Sequence, residues 1–251
     1  MISKKLKATI EFLTVIKIGK SNERLERDDI ANSIMFFPLV GVLLGGVCAL
    51  VEFLLRDFVV SSLIRSLFAV IVLAVFTRGL HLDGVADCFD ALHFAGRDRE
   101  KALEVMKGKT IGAFGASALV IVIVGKIVAL YALPDEFRSK SLILIPALAR
   151  WTSSIVARER APASAKGLGY VFSVYSTGKA FLISGLTALV ISFLLFGFKG
   201  FAIFIVVSIF SFLLVRYFIR AFGGVTGDVF GAIIELSEVF GFVVVGVVIG
   251  S

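Results

Sequence analysis

Three aspartates at helical spacing carry most of the chemistry in this chain. They lie in the run Asp83-Gly84-Val85-Ala86-Asp87-Cys88-Phe89-Asp90. Each residue of an α-helix advances about 100°, so Asp83, Asp87 and Asp90 fall within about 60° of one another on one face. Like charges at this spacing repel each other unless a cation lies between them. This carboxylate comb therefore predicts a divalent metal site.

A second polar segment lies near the C-terminal end, from Gly223 to Glu238. The turn Gly223-Gly224-Val225-Thr226-Gly227-Asp228 permits close approach of backbone to a ligand, and the N–H groups that open the following helix suit a phosphate. Asp228 and Glu235 are seven residues apart, hence on one face of that helix. For Asp228, simple capping of the helix is an equally good interpretation.

Four charged side chains fall inside apolar segments, where ionised groups are costly. Glu235 and Glu238 lie at a depth similar to that of Arg150, which predicts either a buried ion pair or a contact of Arg150 with substrate phosphate. Lys126 is deeper and is expected to extend outward to the interface.

Cations also precede the Gly-rich stretch Ile111-Gly112-Ala113-Phe114-Gly115. Lys107 and Lys109 are the better candidates for binding phosphate there, although loop cations more often serve membrane topology. His81 falls on the opposite helix face from Asp83, which favours packing or hydrogen bonding for it.

The segments between these motifs are those of a membrane protein. Apolar residues make up 58% of the chain, and nearly uncharged stretches of membrane-spanning length recur. We predict an all-α, polytopic membrane helix bundle formed by a single catalytic domain, residues 1–251. It has about seven transmembrane helices, over residues 34–55, 61–77, 111–133, 141–157, 180–196, 200–217 and 230–250.

Charge sets the predicted orientation. With a cytoplasmic N-terminus, 19 of the 26 Lys and Arg residues lie on the cytoplasmic side and five on the opposite side, as the positive-inside rule requires. Residues 78–110 then form a cytoplasmic active-site segment. The net charge of +7 follows mainly from this bias and gives no indication of nucleic-acid binding.

Residues 1–33 are predicted to be a cytoplasmic or interfacial segment. Leu6, Ile10, Leu13 and Ile16 recur at near-helical spacing among lysines. This pattern indicates either an amphipathic helix on an anionic leaflet or a short helix packed on the membrane domain.

The ordered motifs resemble the cobalamin synthase family, also called adenosylcobinamide-GDP ribazoletransferases. The resemblance runs nearly end to end and rests on the following runs: Phe36 to Gly41, Gly79 to Asp87 with Asp90, Leu103 to Lys107, Ile111 to Gly115, Ala149 to Trp151, Gly167 to Gly169 and Gly223 to Asp228 with Gly231, Ala232 and Glu235.

This resemblance implies a magnesium-dependent enzyme of the cytoplasmic (inner) membrane. The 5′-hydroxyl of α-ribazole, or of its 5′-phosphate, displaces GMP from adenosylcobinamide-GDP to give adenosylcobalamin or its phosphate. Other cobalamin-assembly enzymes are candidate partners, beside the lipid bilayer.

The expected roles follow from the chemistry of diphosphate transfer. Asp83, Asp87 and Asp228 are expected to bind Mg²⁺, with Glu235 as a further or supporting ligand. Asp90 either completes the metal site or accepts the hydroxyl proton. Lys107, Lys109 and Arg150 are expected to bind substrate phosphate.

Two other classes share parts of this pattern. A CDP-alcohol-type membrane phosphotransferase would use the same metal chemistry with a lipid acceptor, but Asp87 stands where an arginine follows the alanine of that motif. A cation-coupled transporter would place carboxylates near the bilayer midplane on broken helices.

Overall fold

The computed structural model describes residues 2–18, 26–58, 61–108 and 110–250, and within them the chain is helical with no β-strand, which confirms the all-α prediction. The elements are α1 (Ile2–Leu13), α2 (Arg27–Asn32), a 3₁₀ turn (Ser33–Phe36), α3 (Phe37–Arg56), α4 (Ser62–Phe76), α5 (Leu80–Leu92), α6 (Arg99–Val105), α7 (Ala113–Tyr131), α8 (Asp135–Arg158), α9 (Leu168–Tyr175), α10 (Gly178–Phe222) and α11 (Gly227–Gly250).

Several of these helices are long and apolar enough to cross a membrane. Four stretches among the described residues qualify by length and composition, namely Arg27–Arg56, Ala113–Tyr131, Gly178–Phe222 and Gly227–Gly250. A fifth is added if α4 and α5, which meet at 90°, are counted as one broken span. The protein is therefore a multi-pass membrane protein, and the count of seven crossings stays a prediction.

Helix α8 lies at the centre of the bundle. Every residue from 144 to 157 is buried, and the helix packs against α3, α10 and α11. It is not among the helices that qualify as spans, and it carries Arg138, Lys140 and Arg150 together with Asp135 and Glu136. The predicted span 141–157 thus corresponds to the apolar part of a charged central helix.

The long helix α10 folds back on itself at Gly197. The backbone there has φ 58° and ψ −136°, a conformation open to glycine. Phe181 and Phe204 both pack on the indole of Trp151, with ring centroids 5.0 and 5.9 Å away, yet a straight helix would separate them by about 34 Å. Residues 178–196 and 198–222 are therefore two arms lying side by side, in agreement with the separate predicted stretches 180–196 and 200–217.

Four buried charges join three of the central helices. The Nζ atom of Lys126 on α7 lies 2.6 Å from Glu235 Oε2 on α11 and also pairs with Glu238. Arg150 on α8 pairs with Glu238. The prediction that Lys126 extends outward is wrong, because two carboxylates of α11 lie beside it and only 3% of the residue is exposed. The predicted pairing of Arg150 with one of these glutamates is confirmed.

The N-terminal helix α1 packs on the bundle. Lys5 Nζ lies 2.8 Å from Asp29 Oδ1, and the rings of Phe12 and Phe37 are 6.5 Å apart. Leu13 is 1% exposed. The sequence allows either a helix on the leaflet surface or a short helix packed on the membrane domain. These contacts agree with the second.

Candidate active site

The comb is carried by α5, as its spacing predicts. A tight turn precedes the helix, with Arg78 and Gly79 both in the left-handed region at φ 55° and 65°. This turn directs α5 at 90° to α4. Thirteen residues span about 20 Å, less than the hydrocarbon thickness of a bilayer. Helix α5 on its own is therefore too short to span the membrane.

Close contact between α5 and α11 brings Asp228 to the comb. A Cβ atom at Gly84 would lie 2.5 Å from the backbone oxygen of Asp228, and one at Gly231 would lie 3.1 Å from His81 Cα. Glycine at both positions lets the two backbones approach. The first turn of α11 thus adds a fourth aspartate to the three of α5.

This arrangement concentrates negative charge. Burial, followed by the charges of Asp228, Asp83 and Asp90, raises the pKa of Asp87 to about 7. Within the described part of the chain, neither Asp83, Asp87 nor Asp228 forms an ion pair with Lys or Arg. A cation placed between these carboxylates would stabilise the cluster.

The donor set fits magnesium held jointly with a phosphate substrate. Hard carboxylate oxygens are the protein ligands that Mg²⁺ prefers. Among residues 2–18, 26–58, 61–108 and 110–250, no group of three or more His, Cys, Asp or Glu side chains is placed to hold a metal ion by itself. Magnesium is usually bound through one or two carboxylates together with substrate phosphates, so a metal at these aspartates would need phosphate oxygens to complete its coordination.

Asp90 is oriented differently from the other members of the comb. Its Oδ2 accepts a hydrogen bond of 2.7 Å from Gly112 N, and its Oδ1 accepts one of 2.7 Å from Gly115 N. These N–H groups open α7, where a carboxylate also interacts favourably with the helix dipole. Asp90 therefore fixes the start of α7 against α5.

The turn before α11 is held in two ways. Thr226 Oγ1 accepts from Val229 N at 3.3 Å and donates to Asp228 Oδ2 at 3.2 Å. Val225 pairs with the loop after α8, since its N donates to Ala161 O at 2.7 Å and its O accepts from Ala163 N at 3.0 Å. Both sets of contacts position the carboxylate of Asp228.

Two cavities meet at Asp228. The first has a volume of about 240 Å³, and its walls include Phe residues, Asp83 and Asp228. The second, about 350 Å³, is lined by Lys107, Lys166, a glycine-rich segment and Thr226. Leu168, Gly227 and Asp228 belong to both cavities. An apolar cavity and a basic cavity therefore share one acidic junction.

Of the two lysines predicted to bind phosphate before α7, only Lys107 lies among the described residues. Lys107 lines the second cavity, whereas Lys109 lies outside the described residues. Lys166, which our sequence analysis does not single out, lines the same cavity. The signal for it was its position directly before Gly167-Leu168-Gly169, one of the runs that carry the family resemblance.

Arg150 and Glu235 lie in the buried charge cluster of Lys126, Arg150, Glu235 and Glu238. Arg150 is 0% exposed and pairs with Glu238, with its Nη2 3.5 Å from His81 Nδ1. Glu235 pairs with Lys126. A contact of Arg150 with substrate phosphate or of Glu235 with a metal would require these pairs to break. His81 is 3% exposed, in agreement with the predicted packing role.

Comparisons with known proteins agree with the resemblance. Residues 5–246 match the CobS family, described as cobalamin-5-phosphate synthase. An adenosylcobinamide-GDP ribazoletransferase of Caldanaerobacter subterraneus subsp. tengcongensis is 32% identical over 242 residues, covering 96% of each chain. One of Escherichia coli K12 is 35% identical over 241 residues, covering 94% of this chain and 97% of the relative. No solved structure shows a significant match. The chain belongs to the cobalamin-5-phosphate synthase family.

Proposed function

We propose that this protein is a magnesium-dependent adenosylcobinamide-GDP ribazoletransferase. It transfers the cobinamide-phosphate group of adenosylcobinamide-GDP to the 5′-hydroxyl of α-ribazole or α-ribazole 5′-phosphate. GMP is released, and adenosylcobalamin or its 5′-phosphate is formed. Family membership and the names of the relatives support this substrate pair, and they do not favour a lipid phosphotransferase or a transporter.

The observation that carries the proposal is the meeting of two cavities at Asp228, on the helix that packs against the comb. A transferase must hold a phosphorylated donor and an alcohol acceptor side by side, and the basic and apolar cavities share the Asp228 edge. Asp83, Asp87 and Asp228 would hold Mg²⁺ there. When bound, the metal neutralises charge on the diphosphate oxygens.

The residues of the chain have distinct roles in this reaction. Lys107, Lys109 and Lys166 bind phosphate oxygens of the nucleotide and stabilise the departing GMP. The 5′-oxygen of the acceptor bonds to the phosphorus that carries the cobinamide, while the bond from that phosphorus to the GMP oxygen breaks. A carboxylate of the site accepts the hydroxyl proton. Asp90 holds α7 in place, since both its oxygens already accept backbone N–H groups.

The proposed setting is the cytoplasmic membrane, with seven crossings and the active site facing the cytoplasm. The fold of α10 into two arms and the central position of α8 support the number of crossings. The excess of Lys and Arg on one side supports the orientation.

Purified membranes test the function directly. Protein incubated with adenosylcobinamide-GDP, α-ribazole and Mg²⁺ should form adenosylcobalamin and GMP in equal amounts. Asp83→Asn and Asp228→Asn should each lower the rate by about 100-fold or more, as removal of groups that stabilise transition-state charge does elsewhere. Asp57→Asn, an exposed carboxylate at the end of α3, is the matched control and should retain activity.

Each result has a definite meaning. Undiminished product from either active-site variant would remove that residue from the site. Absence of a corrinoid product, together with metal-dependent transfer to a lipid alcohol, would refute the function itself.

A further inference from the structure

The first cavity has the walls of a site for a flat aromatic group. Four phenylalanines from four helices line it, and Phe172 on α9 is the central ring. Its centroid lies 5.6 Å from those of Phe37 and Phe230 and 6.3 Å from that of Phe12. Aromatic side chains at such spacing offer both faces and edges for stacking.

One fully buried polar side chain in this wall has no hydrogen-bond partner among the described residues. Ser153 on α8 is 0% exposed and lines the cavity, yet its Oγ forms no hydrogen bond with any described residue. Buried hydroxyls are normally hydrogen-bonded, because an unsatisfied one costs free energy. Its place in the wall makes Ser153 a hydrogen-bonding point for a ligand that is otherwise apolar.

The second cavity contains two lysines, whereas no Lys or Arg among the described residues lines the first. The two lysines are Lys107 and Lys166, and cations of this kind bind phosphate oxygens. The guanosine diphosphate part of the donor therefore fits the second cavity. The first cavity, which meets the second at Asp228, is then placed to hold the acceptor beside the donor.

We propose that the first cavity binds the base of α-ribazole, with Ser153 Oγ donating a hydrogen bond to the unsubstituted nitrogen of the benzimidazole ring. This inference rests on the proposed function and adds the acceptor subsite to it. The base of α-ribazole is a bicyclic aromatic ring with two methyl groups and no amino or carbonyl group. Four phenylalanine rings, with the Ser153 hydroxyl on one wall and the two aspartates at the edge where the ribose would lie, match that chemistry.

The geometry also orients the rest of the acceptor. With the base among the phenylalanines, the ribose points to the acidic edge formed by Asp83 and Asp228. The 5′-hydroxyl then faces the junction with the second cavity. Phe12 and Leu13 of α1 belong to the same wall, so the N-terminal helix forms part of the acceptor site.

Equilibrium dialysis of α-ribazole against purified protein in nanodiscs, with no corrinoid present, tests the assignment. Ser153→Ala should weaken binding by about 2- to 10-fold, the effect of one neutral hydrogen bond. Ser173→Ala is the matched control, because Ser173 is also fully buried and unpartnered but does not line this cavity. It should bind as the wild type does.

An indole riboside with the same methyl groups isolates the hydrogen bond, since a C–H replaces the ring nitrogen. Wild-type protein should bind it about 2- to 10-fold more weakly than α-ribazole, and Ser153→Ala should bind the two equally. Phe230→Leu should weaken binding of both by about 5-fold or more through lost stacking. GMP should not displace α-ribazole.

The proposal is overturned if Ser153→Ala keeps the wild-type affinity, if it still discriminates between the two nucleosides, or if GMP competes with α-ribazole. Binding that depends on Ser153 without formation of any corrinoid product would refute the transferase function and support the subsite. Product formation with an unchanged KM for α-ribazole in Ser153→Ala would refute the subsite and support the function.

Discussion

Removal of Glu238 should destabilise the protein more than removal of Glu235, although both carboxylates lie in the same buried charge cluster. Glu238 is paired with both Lys126 and Arg150, whereas Glu235 is paired with Lys126 only. Glu238→Gln leaves Arg150, which is 0% exposed, without any carboxylate partner among the described residues. Breaking a buried pair in this way costs about 3–5 kcal/mol.

Glu235→Gln should cost less, because both cations keep Glu238. We expect about 1.5–3 kcal/mol, the value of a hydrogen bond to a charged group. The double variant Arg150→Met with Glu238→Gln removes one charge of each sign and leaves the Lys126–Glu235 pair. It should recover at least half of the loss caused by Glu238→Gln, since it leaves no uncompensated buried charge at position 150.

Unfolding of the purified protein in mixed detergent micelles, followed by tryptophan fluorescence of Trp151, measures these free energies. Equal midpoints for Glu238→Gln and Glu235→Gln would refute the assignment of Glu238 as the shared partner. A further loss on adding Arg150→Met would show that Arg150 contributes mainly through contacts other than Glu238.

Three further predictions concern the site. Gly84→Ala places a Cβ atom 2.5 Å from the backbone oxygen of Asp228, so it should separate α5 from α11 and lower kcat by about 10-fold or more. Gly46→Ala is the control, because a Cβ atom there meets no atom within 4 Å. Equal kinetics for the two variants would contradict this expectation. Thr226→Val removes the hydroxyl that caps α11 and should cost about 1 kcal/mol of unfolding free energy, while Thr226→Ser should keep it; equal stabilities would exclude the cap. Chelation with EDTA should abolish transfer, and added Mg²⁺ should restore it. In the presence of GDP, Mg²⁺ should also raise the Tm of the protein. Transfer that continues in excess EDTA would exclude a metal requirement.

Residue spacing and apolar runs in the sequence are enough to predict individual helices, because a helix depends on residues close together in the chain. The spacing of Asp83, Asp87 and Asp90 predicted one helix, and apolar runs predicted α3, α7 and α11 to within a few residues. The chemistry of diphosphate transfer groups Asp228 with Asp83 and Asp87 as expected metal ligands, and the close packing at Gly84 brings the helices that carry them together.

Long-range pairing was beyond the reach of the same patterns. Lys126 meets glutamates more than 100 residues later in the chain, and no local signal tells whether a lysine in an apolar helix faces lipid or a neighbouring helix. Ser153 is one of several small polar residues on α8, and only the packing of α9 and α11 around it distinguishes it from the others.

The glycine at position 197 has a consequence for how the site is assembled. Asp83 and Asp228 are 145 residues apart in the chain, and the return of α10 at Gly197 brings the two ends of that helix to the same side of the bundle. Without this reversal, a straight helix of 45 residues would separate the two ends of α10 by about 68 Å. During synthesis, the comb is therefore complete early but stays without its partner carboxylate until the hairpin has closed and α11 has been inserted. A chain that stops before Gly227 would contain every residue of the comb but would lack Asp228, the residue at which the two cavities of the candidate site meet.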